Sequence, residues 1–216
     1  MNQILKITFF LVLIGTSVAA QNRDPKAKSL LSEVKSTISG YQNVYISFKY
    51  VLENEEENIY QETKGEVTLK EEKYVLDILG IKRIFDGNNL YTISLEDEEV
   101  TISSYINEIE NTITPNNLLS FFDEGYNYKL DILQNKYGIE IQYIKLTPID
   151  SNSEIKYVLL GIETNSKHIY NLIEIGKNNS RTTLTVLNFK FNIPLLKSFF
   201  SFTPSDYPTF YINKID

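Results

Sequence analysis

Chemistry at a protein site needs side chains that carry protons, attack substrates or ligate metals, and this sequence supplies few of them. It has no cysteine and a single histidine, His168, which excludes disulfides, iron–sulfur clusters, zinc fingers and cysteine nucleophiles and argues against a histidine-dependent triad. His168 follows Lys167 at the start of an apolar run and reads as a surface residue. No Gly-Xaa-Ser-Xaa-Gly, His-Glu-Xaa-Xaa-His or phosphate-loop motif occurs. Carboxylates are plentiful, but Glu55-Glu56-Glu57 and Glu96-Asp97-Glu98-Glu99 fall where hairpin tips are expected, and solvated charge is the ordinary state there. Neither run has the ligand spacing of a calcium loop. A glycosidase needs two carboxyl groups at a set separation, and nothing singles out a pair. The reading is a protein without catalytic residues, metal or cofactor, which binds rather than catalyses.

The balance of 28 acidic against 21 basic side chains, net −7, and the dispersal of Arg23, Arg83 and Arg181 exclude a groove for nucleic acid, which requires clustered cations. The first twenty residues read as a cleaved secretion signal: Lys6, an apolar run from Ile7 to Ile14, then Val18, Ala19 and Ala20. The run is shorter than the roughly 20 residues that cross a bilayer. Cleavage after Ala20 leaves residues 21–216, and this remainder, with no linker and no repeat, reads as a single domain of net charge −8 (20 basic minus 28 acidic).

Elements alternate between two periods. Asp24-Pro25 opens a helix whose apolar positions, Ala27, Leu30, Leu31, Val34, Ile38 and Tyr41, fall three and four apart. From Val44 the period becomes two: Ile46, Phe48, Tyr50 and Leu52 alternate with Tyr45, Ser47, Lys49 and Val51. Further strands are expected over Ile59 to Lys70, Lys73 to Leu79, Ile81 to Phe85, Leu90 to Ser94 and Val100 to Tyr105. The tetrad Asp86-Gly87-Asn88-Asn89 marks a turn. Thr114-Pro115 announces a second helix with Leu118, Leu119 and Phe122 on one face, ending near Gly125. Strands then follow near Tyr128 to Leu133, Ile139 to Leu146, Lys156 to Glu163, His168 to Ile175, Arg181 to Phe191 and Thr209 to Asn213. This is an α+β pattern with a large antiparallel sheet, and a sheet that wide curls.

These pieces, in order, resemble the LolA-type periplasmic carriers of lipoproteins: a short helix before the first strand, Lys64-Gly65-Glu66-Val67, Ile84 to Tyr91 around the turn, Thr114-Pro115-Asn116-Asn117-Leu118-Leu119, Leu146-Thr147-Pro148, and Phe200-Ser201-Phe202-Thr203-Pro204 to Pro208. The tyrosine-rich, tryptophan-free composition resembles the branch found in Bacteroidota-like bacteria. The resemblance implies an incomplete antiparallel β-barrel of about eleven strands whose concave apolar face is covered by helices and holds acyl chains. It implies a periplasmic monomer that takes acylated lipoproteins from an inner-membrane lipoprotein-releasing ABC transporter to the outer membrane or its receptor. Ile46, Phe48, Tyr50, Val67, Leu69, Tyr74, Leu76, Ile78 and Ile141 are then the expected cavity wall, joined by Tyr91 in place of the family's tryptophan. Leu118, Leu119 and Phe122 would form the lid. Many members tether the lid with an arginine near the third strand; here the stretch reads Leu69-Lys70-Glu71-Glu72-Lys73-Tyr74, and Lys73, lacking the planar guanidinium fork, is the candidate tether. Two other classes stand beside the carrier: a lipid- or lipoprotein-sensing module of the same fold, and an exported hydrolase.

Overall fold

The computed structural model describes residues 24–104, 121–122 and 124–215. The expected secretion signal, Leu118 and Leu119 lie outside the described residues. Asp24 caps α1 (Pro25–Ser39) by accepting from the Lys26 amide at 2.8 Å, and the proline in the first turn has no amide to leave unpaired. Ala27, Leu31, Val34 and Ile38 form the buried stripe of this helix, four of the six apolar positions that the periodicity marks.

Twelve strands follow: β1 (Val44–Asn54), β2 (Ile59–Lys70), β3 (Lys73–Ile78), β4 (Ile81–Phe85), β5 (Asn89–Ser94), β6 (Glu99–Ser104), β7 (Tyr126–Lys136), β8 (Ile139–Pro148), β9 (Ile155–Glu163), β10 (Ile169–Gly176), β11 (Arg181–Phe191) and β12 (Tyr211–Ile215). They make one sheet in the order β12-β6-β5-β4-β3-β2-β1-β11-β10-β9-β8-β7. The sheet does not close, since β12 and β7 are its two edges, so the architecture is the expected incomplete barrel, with one more strand than the expected eleven or so. Hairpins run outward in both directions from the long-range β1–β11 pair. The last strand departs from the antiparallel pattern: β12 pairs parallel to β6, Tyr211 opposite Glu99.

The turn tetrad is built as its residues require. The Asp86 carboxylate accepts from the amides of Asn88 and Asn89, both at 2.8 Å, and Gly87 sits at φ +102°, a region closed to most side chains. The acidic runs occupy the β1–β2 and β5–β6 turns. Residues 121 and 122 are turn rather than helix; the rest of the second expected helix, up to 120, lies outside the described residues.

Directly opposed residues in an antiparallel ladder share a face, so the register assigns every side chain to one of two surfaces. One face bears α1, and its rows include Val44–Leu69–Tyr74–Phe85–Leu90, Ile46–Val67–Leu76–Arg83 and Leu184–Leu172–Leu160–Ile144. The opposite face carries two smaller apolar clusters. Ile84, Ile93 and Val100 lie beneath Phe202, Tyr207 and Phe210 of the segment leading into β12, and Ile141, Tyr143 and Ile173 pack together at the other end.

Tyr91 and Ile141 are therefore placed on the surface away from α1. Tyr91 stands opposite Ile84 and Ile102, stacks on Phe202 with 4.9 Å between ring centres, and donates its phenol to Asp86 at 3.0 Å. Ile141 is one residue out of phase with Ile144 and Leu146, which face the helix. A strand with apolar residues on both faces gives little sign of which side is inner, and a one-residue difference in phase reverses the face.

Candidate functional site

The α1-bearing face is predominantly apolar, and its exposure is graded. Beneath the helix, Val44, Ile46, Phe48, Val67, Leu69 and Tyr74 are all buried, at 8% exposure or less. Toward the β1–β2 turn and across β11, Tyr50, Leu76, Ile78, Leu184 and Val186 are only half-buried, although they pack on the same cluster. Eight of the ten expected wall residues thus share one face, five in its covered part and Tyr50, Leu76 and Ile78 in its open part. Leu184 and Val186, opposite Tyr50 and Phe48, belong to the same surface and were not singled out by the sequence. Their strand, Arg181 to Phe191, shows the period of two, and a register with β1 would have brought them in.

Gly65 makes the packing of the covered part possible. It sits opposite Phe48 on β1, and a Cβ there would lie 2.7 Å from the Phe48 ring and 2.8 Å from the Asp77 carbonyl. The ring lies across the bare backbone, a space that only glycine leaves.

Helix α1 is fastened at both ends. At its start the Asp24 amide donates to the Tyr128 carbonyl at 2.9 Å, and its carboxylate accepts from the Leu130 amide at 3.2 Å. That second bond is the largest contribution holding the Asp24 carboxyl below its ordinary range. At its end, Tyr41 stacks on Phe191, with ring centres 4.2 Å apart, and its hydroxyl bonds His168 Nε2 at 2.8 Å. His168 is thus not a plain surface residue. Its ring stacks on Phe189 at 3.9 Å, and burial pushes its pKa down against the opposing pull of Glu163. Glu33 on the helix pairs with Lys167 at 3.0 Å.

An open cleft of about 730 Å³ lies between the end of α1 and the β2–β3 turn, lined by Lys35, Ile38, Tyr41, Val44, Leu69 and Lys70 among others. Of the ten wall candidates only Leu69 reaches it. From the 121–122 turn, Phe122 is buried at 1% on the main apolar cluster, and Phe121 meets Tyr126 edge-on at 5.9 Å. Lys73, the candidate tether, is exposed at the start of β3, where its Cε would be 3.6 Å from a Cβ on Gly87. Among the described residues no cluster of three His, Asp or Glu suited to a metal occurs, and no helix is long and apolar enough to cross a membrane.

What the arrangement can do is hold hydrocarbon. It offers side chains that are apolar and half-covered and, among the described residues, no array of donors for a polar substrate.

Residues 79–203, more than half of the chain, match the family described as outer membrane lipoprotein carrier protein LolA. Among solved structures, an uncharacterized conserved protein from Thermus thermophilus is similar in fold, with a TM-score of 0.60 at 10% identity over 88% of this chain and 99% of that one. The chain also aligns with LprF from Mycobacterium bovis (TM-score 0.48, 12% identity, 81% of this chain and 97% of that one). A LolA superfamily protein from Nitrosomonas europaea aligns with a TM-score of 0.43 and 13% identity over 81% and 97%. No curated protein matches the chain.

Proposed function

This chain is a member of the LolA family, and on that premise we propose that it is a periplasmic carrier that binds the acyl chains of lipoproteins against its α1-bearing face and moves them from the inner to the outer membrane. The observation that carries this reading is the set of half-buried side chains Tyr50, Leu76, Ile78, Leu184 and Val186 that packs on a buried apolar surface. An acyl chain of about sixteen carbons costs on the order of 12 kcal/mol to keep in water, at about 0.8 kcal/mol per CH₂. Offsetting that cost requires side chains on several sides of the chain, and a wide curled sheet with a helix across it provides them. The covered part enlarges the site when α1 and the Phe121–Phe122 turn move aside for cargo.

Export through the N-terminal apolar segment puts the protein in the compartment where such cargo travels. The donor is then the inner-membrane lipoprotein-releasing ABC transporter, and the acceptor the outer membrane or its receptor. The carrier works as a monomer, by binding rather than catalysis. Mass spectrometry of the protein isolated from the periplasm tests this: acylated lipoproteins are expected to copurify with it. A preparation that is empty and turns over a hydrolase substrate would overturn the carrier in favour of an exported enzyme.

A further inference from the structure

One charged side chain stands on the apolar face in the position least suited to it. Glu174 of β10 lies opposite Thr182 of β11 and Val158 of β9, so it projects from the α1-bearing face. Its row runs Leu52–Thr182–Glu174–Val158–Leu146–Tyr128. Leu172, two residues earlier on the same face, and Val158 and Leu146 beside it are buried. Glu174 itself is half-buried. It has neither a hydrogen-bond partner nor an ion pair among the described residues.

Among the described residues, the groups opposite it carry no compensating charge. On β11 and β9 it faces Thr182 and Val158. From β7 the Tyr126 phenol is pushed up in pKa by burial and, to a smaller extent, by the charge of Glu174. Arg83 is on the same face, but five strands away in the sheet order. Burial alone pushes the Glu174 carboxyl up. A partly desolvated carboxylate without a partner among the described residues carries a penalty that an incoming cation donating hydrogen bonds relieves.

We propose that Glu174 is the headgroup contact of the acyl site, pairing with a primary ammonium attached next to the acyl chains of the cargo. This rests on the carrier reading and adds to it a chemical class. An ammonium next to acyl chains occurs on a diacylated peptide with a free N-terminus and on an ethanolamine phospholipid. The half-exposed position of Glu174, beside the open part of the face, lets the chains lie along Tyr50, Leu184 and Ile78 while the amine stays near water. An amide or acetylated nitrogen lacks the charge and most of the donors.

The test compares dipalmitoyl-cysteinyl peptide carrying a free N-terminus with the same peptide N-acetylated, each titrated against the mature protein and against Glu174→Gln. The wild-type protein is expected to prefer the free amine by about tenfold or more, as a charge-assisted hydrogen bond gives, and E174Q is expected to bind the two within about twofold of each other. Thermal melts of E174Q, and of Glu174→Leu as a second variant, confirm that the fold is retained. Equal binding of both peptides by the wild type, or an undiminished preference in E174Q, would overturn the pairing while leaving the carrier reading in place. Failure of both peptides to bind saturably would overturn the carrier reading and the pairing with it. Phosphatidylethanolamine and phosphatidylglycerol in detergent form the remaining arm. A Glu174-dependent preference for the ethanolamine lipid that exceeds the preference for the free-amine peptide supports the pairing and assigns the amine to a phospholipid.

Discussion

The most constrained contact in the covered part of the face is Phe48 lying across Gly65, and Gly65→Ala measures it. The added Cβ meets a ring carbon at 2.7 Å and the Asp77 carbonyl oxygen at 2.8 Å, both well inside ordinary contact. The ring cannot retreat, because Phe48 is 5% exposed within the main cluster. The carbonyl cannot either, because it belongs to the β2–β3 ladder, where Glu66 opposes Asp77. Overpacking of this kind costs about 1–3 kcal/mol, and replacing glycine in a strand returns about 0.5–1 kcal/mol of backbone entropy. Two contacts this short place the cost in the upper part of that range, about 2–3 kcal/mol, so the net loss is about 1–2.5 kcal/mol, which in a chain of this size lowers Tm by roughly 2–10 °C. Urea and thermal unfolding of the mature protein read it directly. The double variant G65A with Phe48→Leu removes the ring clash, leaves the carbonyl clash, and is expected to show favourable coupling of at least about 0.5 kcal/mol. A G65A protein as stable as wild type, or a strictly additive double variant, would refute the reasoning.

Three further expectations follow from the placement of side chains. Phe48→Asp, in the covered part, is expected to abolish cooperative folding, whereas Leu76→Asp, in the open part, keeps the fold and weakens lipopeptide binding by about 2 kcal/mol, roughly thirtyfold; equal stability of the two would show that the gradient of burial is wrong. Tyr91→Ala, on the outer face against Phe202, is expected to cost about 2 kcal/mol of stability while leaving lipopeptide affinity within about twofold, and a selective loss of binding would return Tyr91 to the cavity wall. Burial holds the His168 pKa below that of the unfolded chain, so the unfolded state binds the extra proton and stability falls as pH drops from about 6.5 through the folded value. His168→Phe keeps the stack on Phe189, and its stability should lack that part of the pH dependence between pH 7.5 and 5.5; an unchanged slope would assign it to other groups.

Local chemistry carried most of what could be read from the chain alone. Asp24-Pro25 announces α1 because a cap and a proline act within one turn, and the Asp86 to Asn89 turn is readable for the same reason. The alternation of Ile46, Phe48 and Tyr50 identifies β1 because one of its faces is apolar from Val44 to Leu52. Tyr91 and Ile141 could not be assigned in this way. Their strands carry apolar residues on both sides, and the cover over Tyr91, from Phe202 to Phe210, arrives more than a hundred residues later in the chain. The parallel docking of β12 on β6 has the same long-range origin. His168 was obscured because its partners, Tyr41 and Phe189, come from the end of α1 and from β11. Glu174 was obscured for the opposite reason. Ile173-Glu174-Ile175 looks like a strand with its polar residue facing water, and only the register against Val158 and Thr182 turns that carboxyl toward the apolar face.

Photo-crosslinking locates the cargo most directly. A lipopeptide with a diazirine near the end of one acyl chain, irradiated on the mature protein and mapped by mass spectrometry, is expected to label Tyr50, Leu76, Ile78 and Leu184 saturably and to be displaced by unlabelled lipopeptide. Labelling confined to the outer face, at Tyr91, Ile102 or Ile141, or labelling that does not saturate, would contradict an acyl-chain site on the face beneath α1.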